Sequence, residues 1–256
     1  MTNERRVLVS ADSDALAASI AARFLTKTVD LLDETEFVNI VLEGGRVAMK
    51  VLESINSSPA RDSVDWSRVH FWWGDERWVP ADDAERNDGK ARRALLDHID
   101  IPAENVHSYP ASDSGMTLDE AALAYAQTLA DHSNGDAGLP RFDITFLGVG
   151  PDGHTASLFP DRQEVLEREA TVVAVRNSPK PPAERLTLTR HAINSSHRIW
   201  VEISGADKAA VLGLALAGAA YTEVPIAGIK GRKRTVFFVD RAAASEVPEN
   251  LIAPTY

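Results

Sequence analysis

Apolar residues recur at helical spacing from Asp12 to Leu32, with Ser10 or Asp12 placed to cap the first turn, and this spacing predicts an amphipathic helix. A strand is expected at Phe37 to Leu42. Gly44-Gly45 then turns the chain into a second helix, Val47 to Ile55, and the bulky run Val69 to Trp73 reads as another strand. Helical patterns follow over Asn87 to His98 and Leu118 to His132, with a loop at Ser133 to Pro140. Ile144 to Leu147 is apolar and partly β-branched throughout, as a strand covered on both faces should be. Beyond Pro160 come short strands at Val172 to Val175, Leu186 to Leu188 and Ile199 to Ile203, an alanine-rich helix from Asp207 to Leu216, and a last strand at Thr235 to Val239. Strands alternating with helices imply an α/β fold: one domain spanning residues 1–256, a mostly parallel sheet with helices on both faces, and right-handed crossovers. There is no internal repeat and no low-complexity tail.

Composition narrows the function rather than the fold. At 256 residues the chain can bury a sizeable core, and its formal net charge of −11 argues against nucleic acid or an anionic membrane as the main partner. Any anion must then be held by a local basic site. No stretch approaches the roughly 20 continuous apolar residues of a membrane span, and Met1 to Arg6 leads into a helical pattern rather than resembling a signal peptide, so a cytoplasmic protein is expected. The absence of cysteine excludes disulfides, thiolate catalysis and cysteine-ligated metal centres, and the seven histidines form no H-E-x-x-H or comparable ligand pair, so no metal is expected.

Four segments that follow strands carry the candidate chemistry. Phe142 to Pro160 hangs Asp152 and His154 on a glycine-rich turn at the carboxyl end of a strand, the edge at which open α/β sheets bind ligands. Gly148, Gly150 and Gly153 also satisfy G-x-G-x-x-G. A dinucleotide fingerprint, however, must open a crossover helix and be followed by an acid ending the next strand, whereas Pro160 interrupts this segment and Glu167 and Glu169 precede the next strand. An imidazole suits a general base at neutral pH, and Asp152 can fix its tautomer or orient a substrate hydroxyl. Glu43-Gly-Gly-Arg46 offers backbone N–H groups and a helix N-terminus to an anion. Asp75, Glu76 and Arg77 are hemmed in by Trp72, Trp73 and Trp78, where charges are costly unless paired or used, and Arg77 suits bidentate recognition of phosphate or carboxylate. Lys208 stands in the first turn of a helix, where the dipole disfavours a cation unless an anion is bound nearby. Together these loops indicate a phosphorylated small molecule undergoing proton-transfer or hydrolytic chemistry.

The same residues resemble a known family. Gly44-Gly45, Trp73-Gly-Asp-Glu-Arg-x-Val-Pro80 with Asn87 downstream, Leu147-Gly-x-Gly-x-Asp-Gly-His-x-x-Ser-Leu-Phe-Pro160, Ser178-Pro-Lys-Pro-Pro182 with Arg185-Leu-Thr-Leu-Thr189, and Ser204-Gly-x-x-Lys208 are similar, in order and over nearly the whole chain, to the 6-phosphogluconolactonases of the glucosamine/galactosamine-6-phosphate isomerase-like family. The resemblance implies the glucosamine-6-phosphate deaminase fold and hydrolysis of 6-phospho-D-glucono-1,5-lactone to 6-phosphogluconate in the oxidative pentose phosphate pathway, without metal or cofactor. It implies His154 as general base and later acid, Asp152 as the group that positions it or the sugar, and Gly44, Gly45, Arg46, Asp75, Arg77 and Lys208 around the substrate. Arg77 holds either the phosphate or the developing oxyanion, and Arg185 falls at the rim. The partner implied is a phosphosugar lactone, with the chain a monomer or weak homodimer. Many relatives carry a small hydroxyl residue where this chain has Glu43, and a carboxylate beside a phosphate repels it unless turned away or neutralised.

Two other functions compete. An amino-sugar-phosphate isomerase/deaminase shares Asp-Gly-His but typically continues with an Asn-Glu-Pro-like segment, and here the continuation is Ser157-Leu-Phe-Pro160. A non-catalytic sugar-phosphate sensor normally carries a DNA-binding helix pair, for which this acidic domain leaves no room. Ser108 to Thr117 and Arg176 to Pro182 are candidate lids flanking the site loops.

Overall fold

A computed structural model describes residues 5–134, 138–248 and 252, so the middle of the loop expected before the Ile144 strand, and Met1 to Glu4, lie outside the described residues. The first helix, α1 (Ser13–Glu34), begins at Asp12, whose side chain accepts the N–H groups of Asp14 and Ala15 at 3.0 and 2.9 Å, and its buried stripe includes Leu16, Ile20, Phe24 and Leu31. Before it runs a strand that periodicity misses, β1 (Arg5–Ser10). It is short, basic and at a sheet edge, with only Val7 fully buried, so no alternation announces it. Arg5 anchors it by donating to the carbonyls of Ala215 and Ala227.

The remaining strands of the main sheet are β2 (Val38–Leu42), β3 (Val69–Trp73), β5 (Phe142–Gly148), β8 (Arg198–Ile203) and β9 (Arg234–Asp240). Their order is β1-β9-β8-β5-β2-β3, and every pairing is parallel. The helices that intervene are α2 (Arg46–Ser57), α3 (Asn87–Ala94), α4 (Leu118–Asp131), the single-turn α5 (Gln163–Leu166) and α6 (Arg190–Asn194), and α7 (Ala209–Leu216). The helix expected over Asn87 to His98 breaks at Leu95, whose ψ of −51° comes with a φ of −146°, and resumes as a 3₁₀ turn, Leu96–His98.

Not all strands join this sheet. β7 (Arg185–Leu188) pairs antiparallel with β6 (Val172–Val175) on one side and with β4 (Asp75–Arg77) on the other, making a second, three-stranded sheet in the order β4-β7-β6. The acidic segment after Trp73, expected as a loop, is therefore a short strand. Gly74 joins the two sheets: its N–H donates to Leu42 O at 2.9 Å, and its carbonyl accepts from Leu188 N–H at 2.8 Å. One contiguous apolar cluster runs through the molecule and encloses Trp72 and Trp73, with the Trp72 indole N–H donating to Asn39 Oδ1. Among the described residues no helix is long and apolar enough to cross a membrane.

Candidate active site

Because β5 lies between β2 and β8, the chain leaves three adjacent parallel strands side by side, through Glu43, Gly148 and Ser204. A cavity of about 420 Å³ opens there. It is lined by Gly44, Gly45, Arg46, Asp75, Arg77, His154, Arg185 and Lys208, eight of the nine site residues expected from the sequence. The ninth, Asp152, stands behind His154 and touches it rather than the lining.

The turn after β5 holds these two together. Gly150 N–H donates to His154 O and Gly153 N–H to Gly150 O, each at 2.9 Å, and no crossover helix follows, which removes the dinucleotide reading of the glycine pattern. A Cβ on Gly150 would stand 2.1 Å from the imidazole, so glycine is required for the ring to fold back over the turn. His154 Nδ1 lies 2.5 Å from Asp152 Oδ1, and the ring stacks on Phe159 with centroids 4.6 Å apart. Partial burial would raise Asp152, but the hydrogen bond and charge of His154, with the charge of Lys180, hold it down at about 2. A carboxylate can only accept, so the Nδ1 facing Asp152 carries a proton, which leaves Nε2 as the nitrogen that can exchange one with water or substrate. Lys180, 3.3 Å from Nδ1, can only donate as well; its partner in this arrangement is Asp152 Oδ1 at 3.6 Å.

Lys180 is a functional candidate that reading single residues missed, although Ser178-Pro-Lys-Pro-Pro182 marked its loop. Arg185 explains its placement. Its guanidinium donates to the carbonyls of Lys180, Pro181 and Pro182 at 3.1 Å each, and it lies 4.0 Å from Asp75, so it fastens the loop to β4 more than it reaches into the cavity. Of the two candidate lids, Arg176 to Pro182 thus contributes Lys180 to the lining, whereas Ser108 to Thr117 contributes nothing to it.

Elsewhere in the lining, Gly45 caps α2 without any side-chain hydrogen bond, leaving the first N–H groups of the helix for another acceptor. Gly44 passes so close to Asn87 that a Cβ would stand 1.7 Å from its Oδ1. Arg77 donates to Glu85 O at 2.7 Å, while its buried Nε has no partner among the described residues. Asp75 is buried, accepting from Ser157 Oγ at 2.7 Å and facing Asn87 Nδ2 at 3.3 Å. Glu76 turns away from the cavity: its carboxylate accepts the N–H groups of Asn87 and Asp88 at the start of α3 and lies 3.8 Å from Arg86.

Glu43 also lines the cavity. Its carboxylate lies over Gly148, and burial, then the charge of Asp75, push it up to about 7 despite Lys208 and Arg77. Glu202 of β8, unnoticed in the sequence because it sits inside an apolar strand, lines the same cavity and is pushed up by burial and by Glu43. Among the described residues no cluster of three or more His, Cys, Asp or Glu is arranged to hold a metal ion.

The architecture and the sequence agree with known proteins. The family described as glucosamine-6-phosphate isomerases/6-phosphogluconolactonase matches residues 11–238. A 6-phosphogluconolactonase of Streptomyces coelicolor is 44% identical over 258 residues, covering 99% of each chain. The crystal structure of 6-phosphogluconolactonase from Thermotoga maritima superposes with a TM-score of 0.80 at 28% identity, covering 93% of this chain and 100% of that one. A monomeric glucosamine-6-phosphate deaminase shares the fold, with a TM-score of 0.77 at 21% identity over 94% of this chain and 99% of its own.

Proposed function

The chain belongs to the family of glucosamine-6-phosphate isomerases and 6-phosphogluconolactonases, and from that premise we propose that it hydrolyses 6-phospho-D-glucono-1,5-lactone to 6-phosphogluconate, the lactonase step of the oxidative pentose phosphate pathway, as one domain. The observation that carries the reading is that His154, backed by Asp152, and a phosphate-compatible helix N-terminus line one cavity.

In this reading the phosphate sits against the N–H groups at Gly44 and Gly45, with Arg46 and Lys208 supplying positive charge. That places the lactone end toward His154. Nε2 takes a proton from water as its oxygen attacks the carbonyl carbon, and the carbonyl oxygen becomes an oxyanion. Arg77, with its unpartnered Nε, is the nearest cation on β4 for that charge or for the phosphate. Collapse of the tetrahedral intermediate breaks the bond to the ring oxygen, which receives the proton from His154 and leaves as a hydroxyl. The new carboxylic acid ionises, so each turnover releases one proton. Asp152 stabilises the imidazolium and keeps Nδ1 protonated, and Lys180 keeps Asp152 ionised.

Proton release in weak buffer after addition of freshly generated lactone tests the proposal. Wild type should outpace spontaneous hydrolysis, and His154→Ala should lose about 10²–10⁴-fold in kcat. A wild-type rate equal to the spontaneous one rejects the lactonase reading and directs the next assay to glucosamine 6-phosphate.

A further inference from the structure

Glu43 follows β2, and Glu202 is the next-to-last residue of β8; between these strands lies β5, whose last residue, Gly148, is the register partner of Glu202. Gly148 has no side chain, and the Glu43 carboxylate occupies the space above it: a Cβ there would stand 2.5 Å from Glu43 Oε2. Glu202 is only 1% exposed, lines the cavity, and has no hydrogen-bond partner for either carboxylate oxygen among the described residues. The groups facing the pair are Asp75 and Arg77 from β4, Lys208 from the turn before α7, and the backbone of Gly148. Two of these are cations and one is a third carboxylate. Two ionised glutamates here would place an uncompensated negative charge beside the very turn that receives a phosphate.

We propose that Glu43 and Glu202 are a positioning pair that retains a proton when the cavity is occupied, so that an acidic chain with a carboxylate in its phosphate turn still accepts a phosphate dianion. The pair does not touch the reacting carbonyl. It sets the charge of the floor, and ligand binding draws a proton onto it as the pH rises above neutral. This inference rests on the phosphosugar reading of the site.

Calorimetric titration of 6-phosphogluconate at pH 8, in two buffers of different ionisation enthalpy, measures the proton count. A phosphomonoester has its second pKa near about 6, so at pH 8 the ligand contributes little. His154 is common to every protein compared and drops out of the difference. Wild type should take up a fraction of a proton per ligand bound, Glu202→Gln and Glu43→Gln less than half as much, and wild-type affinity should fall several-fold from pH 6.5 to 8.5 while that of Glu202→Gln stays nearly level. Equal proton uptake in wild type and both variants overturns the proposal. A readout without ligand guards against a folding or function failure: infrared difference spectra of free wild type should show a protonated-carboxyl band that persists above the ordinary carboxylate range and is lost in Glu202→Gln. Its absence in wild type overturns the pair, whereas its presence in a protein that neither binds 6-phosphogluconate nor hydrolyses the lactone supports the pair and rejects the lactonase reading instead.

Discussion

Glu76 and Glu202 are both buried glutamates, 0% and 1% exposed, yet they serve opposite ends. Glu76 is surrounded by donors: the N–H groups of Arg77, Asn87 and Asp88, at 2.7–3.0 Å, and the Arg86 guanidinium, which also holds Asp88 and Tyr109 O. That arrangement caps α3 and ties it to β4. Glu202 has a cavity in front of it and no donor at all among the described residues. Burial alone therefore identifies neither structure nor function; the accounting of partners does. A buried carboxylate whose hydrogen bonds are all made is a fastening, and one left open toward a cavity is available to a ligand or a proton.

Four measurements would break or sharpen that contrast. The largest effect should come from Glu76→Ala, which uncaps α3 and leaves Arg86 with Asp88 as its one close carboxylate; a loss of about 3 kcal/mol in urea denaturation is expected. A neutral result would mean that the knot is decorative. Asp152→Asn removes the carboxylate that works at the site rather than in the core. Its kcat should fall about 100-fold with little change in KM or in stability, because the amide no longer enforces the Nδ1–H tautomer. Next comes Glu202→Gln, which should change stability in the opposite direction to Glu76→Ala. An acid whose folded-state pKa is raised, as burial and the charge of Glu43 raise Glu202, keeps its proton in the folded protein while the unfolded chain releases it, so stability falls as pH rises above the ordinary carboxylate range. Thermal unfolding should accordingly show Glu202→Gln gaining stability relative to wild type between pH 5 and pH 8; a variant destabilised equally at both pH values would place Glu202 with Glu76 as a fastening. The smallest effect belongs to Lys180→Gln. Without that cation Asp152 is held down less firmly, and the acid limb of the pH–rate profile should move upward by less than about one pH unit.

The readable parts of this molecule were those governed by near neighbours. The α1 stripe and its Asp12 cap, the apolar run of β5, and the Asp152-Gly153-His154 turn all follow from residues within a few positions of one another. What escaped was set by distant contacts. β1 shows no alternation because only its pairing with β9 makes it a strand. Asp75 to Arg77 read as a charged loop because nothing local reveals that Arg185 to Thr187 will pair with it. The charge of Glu43 stayed open for the same reason: the resemblance flagged it as out of pattern, but its upward shift depends on burial over Gly148 and on the charge of Asp75.

By itself, then, the amino-acid sequence determined the α/β alternation, most of the residues that meet at one cavity and the family, since periodicity, glycine placement and motif order are properties of short stretches of chain. Tertiary structure alone decided that β4, β6 and β7 leave the parallel sheet, that Arg185 braces a loop so that Lys180 meets Asp152, and that Glu43 and Glu202 converge on one glycine. The physical reason is that hydrogen-bond partners and desolvation are properties of the space around a residue, and side chains as far apart in sequence as Asp75 and Ser157, 82 positions, share that space only once the chain has folded.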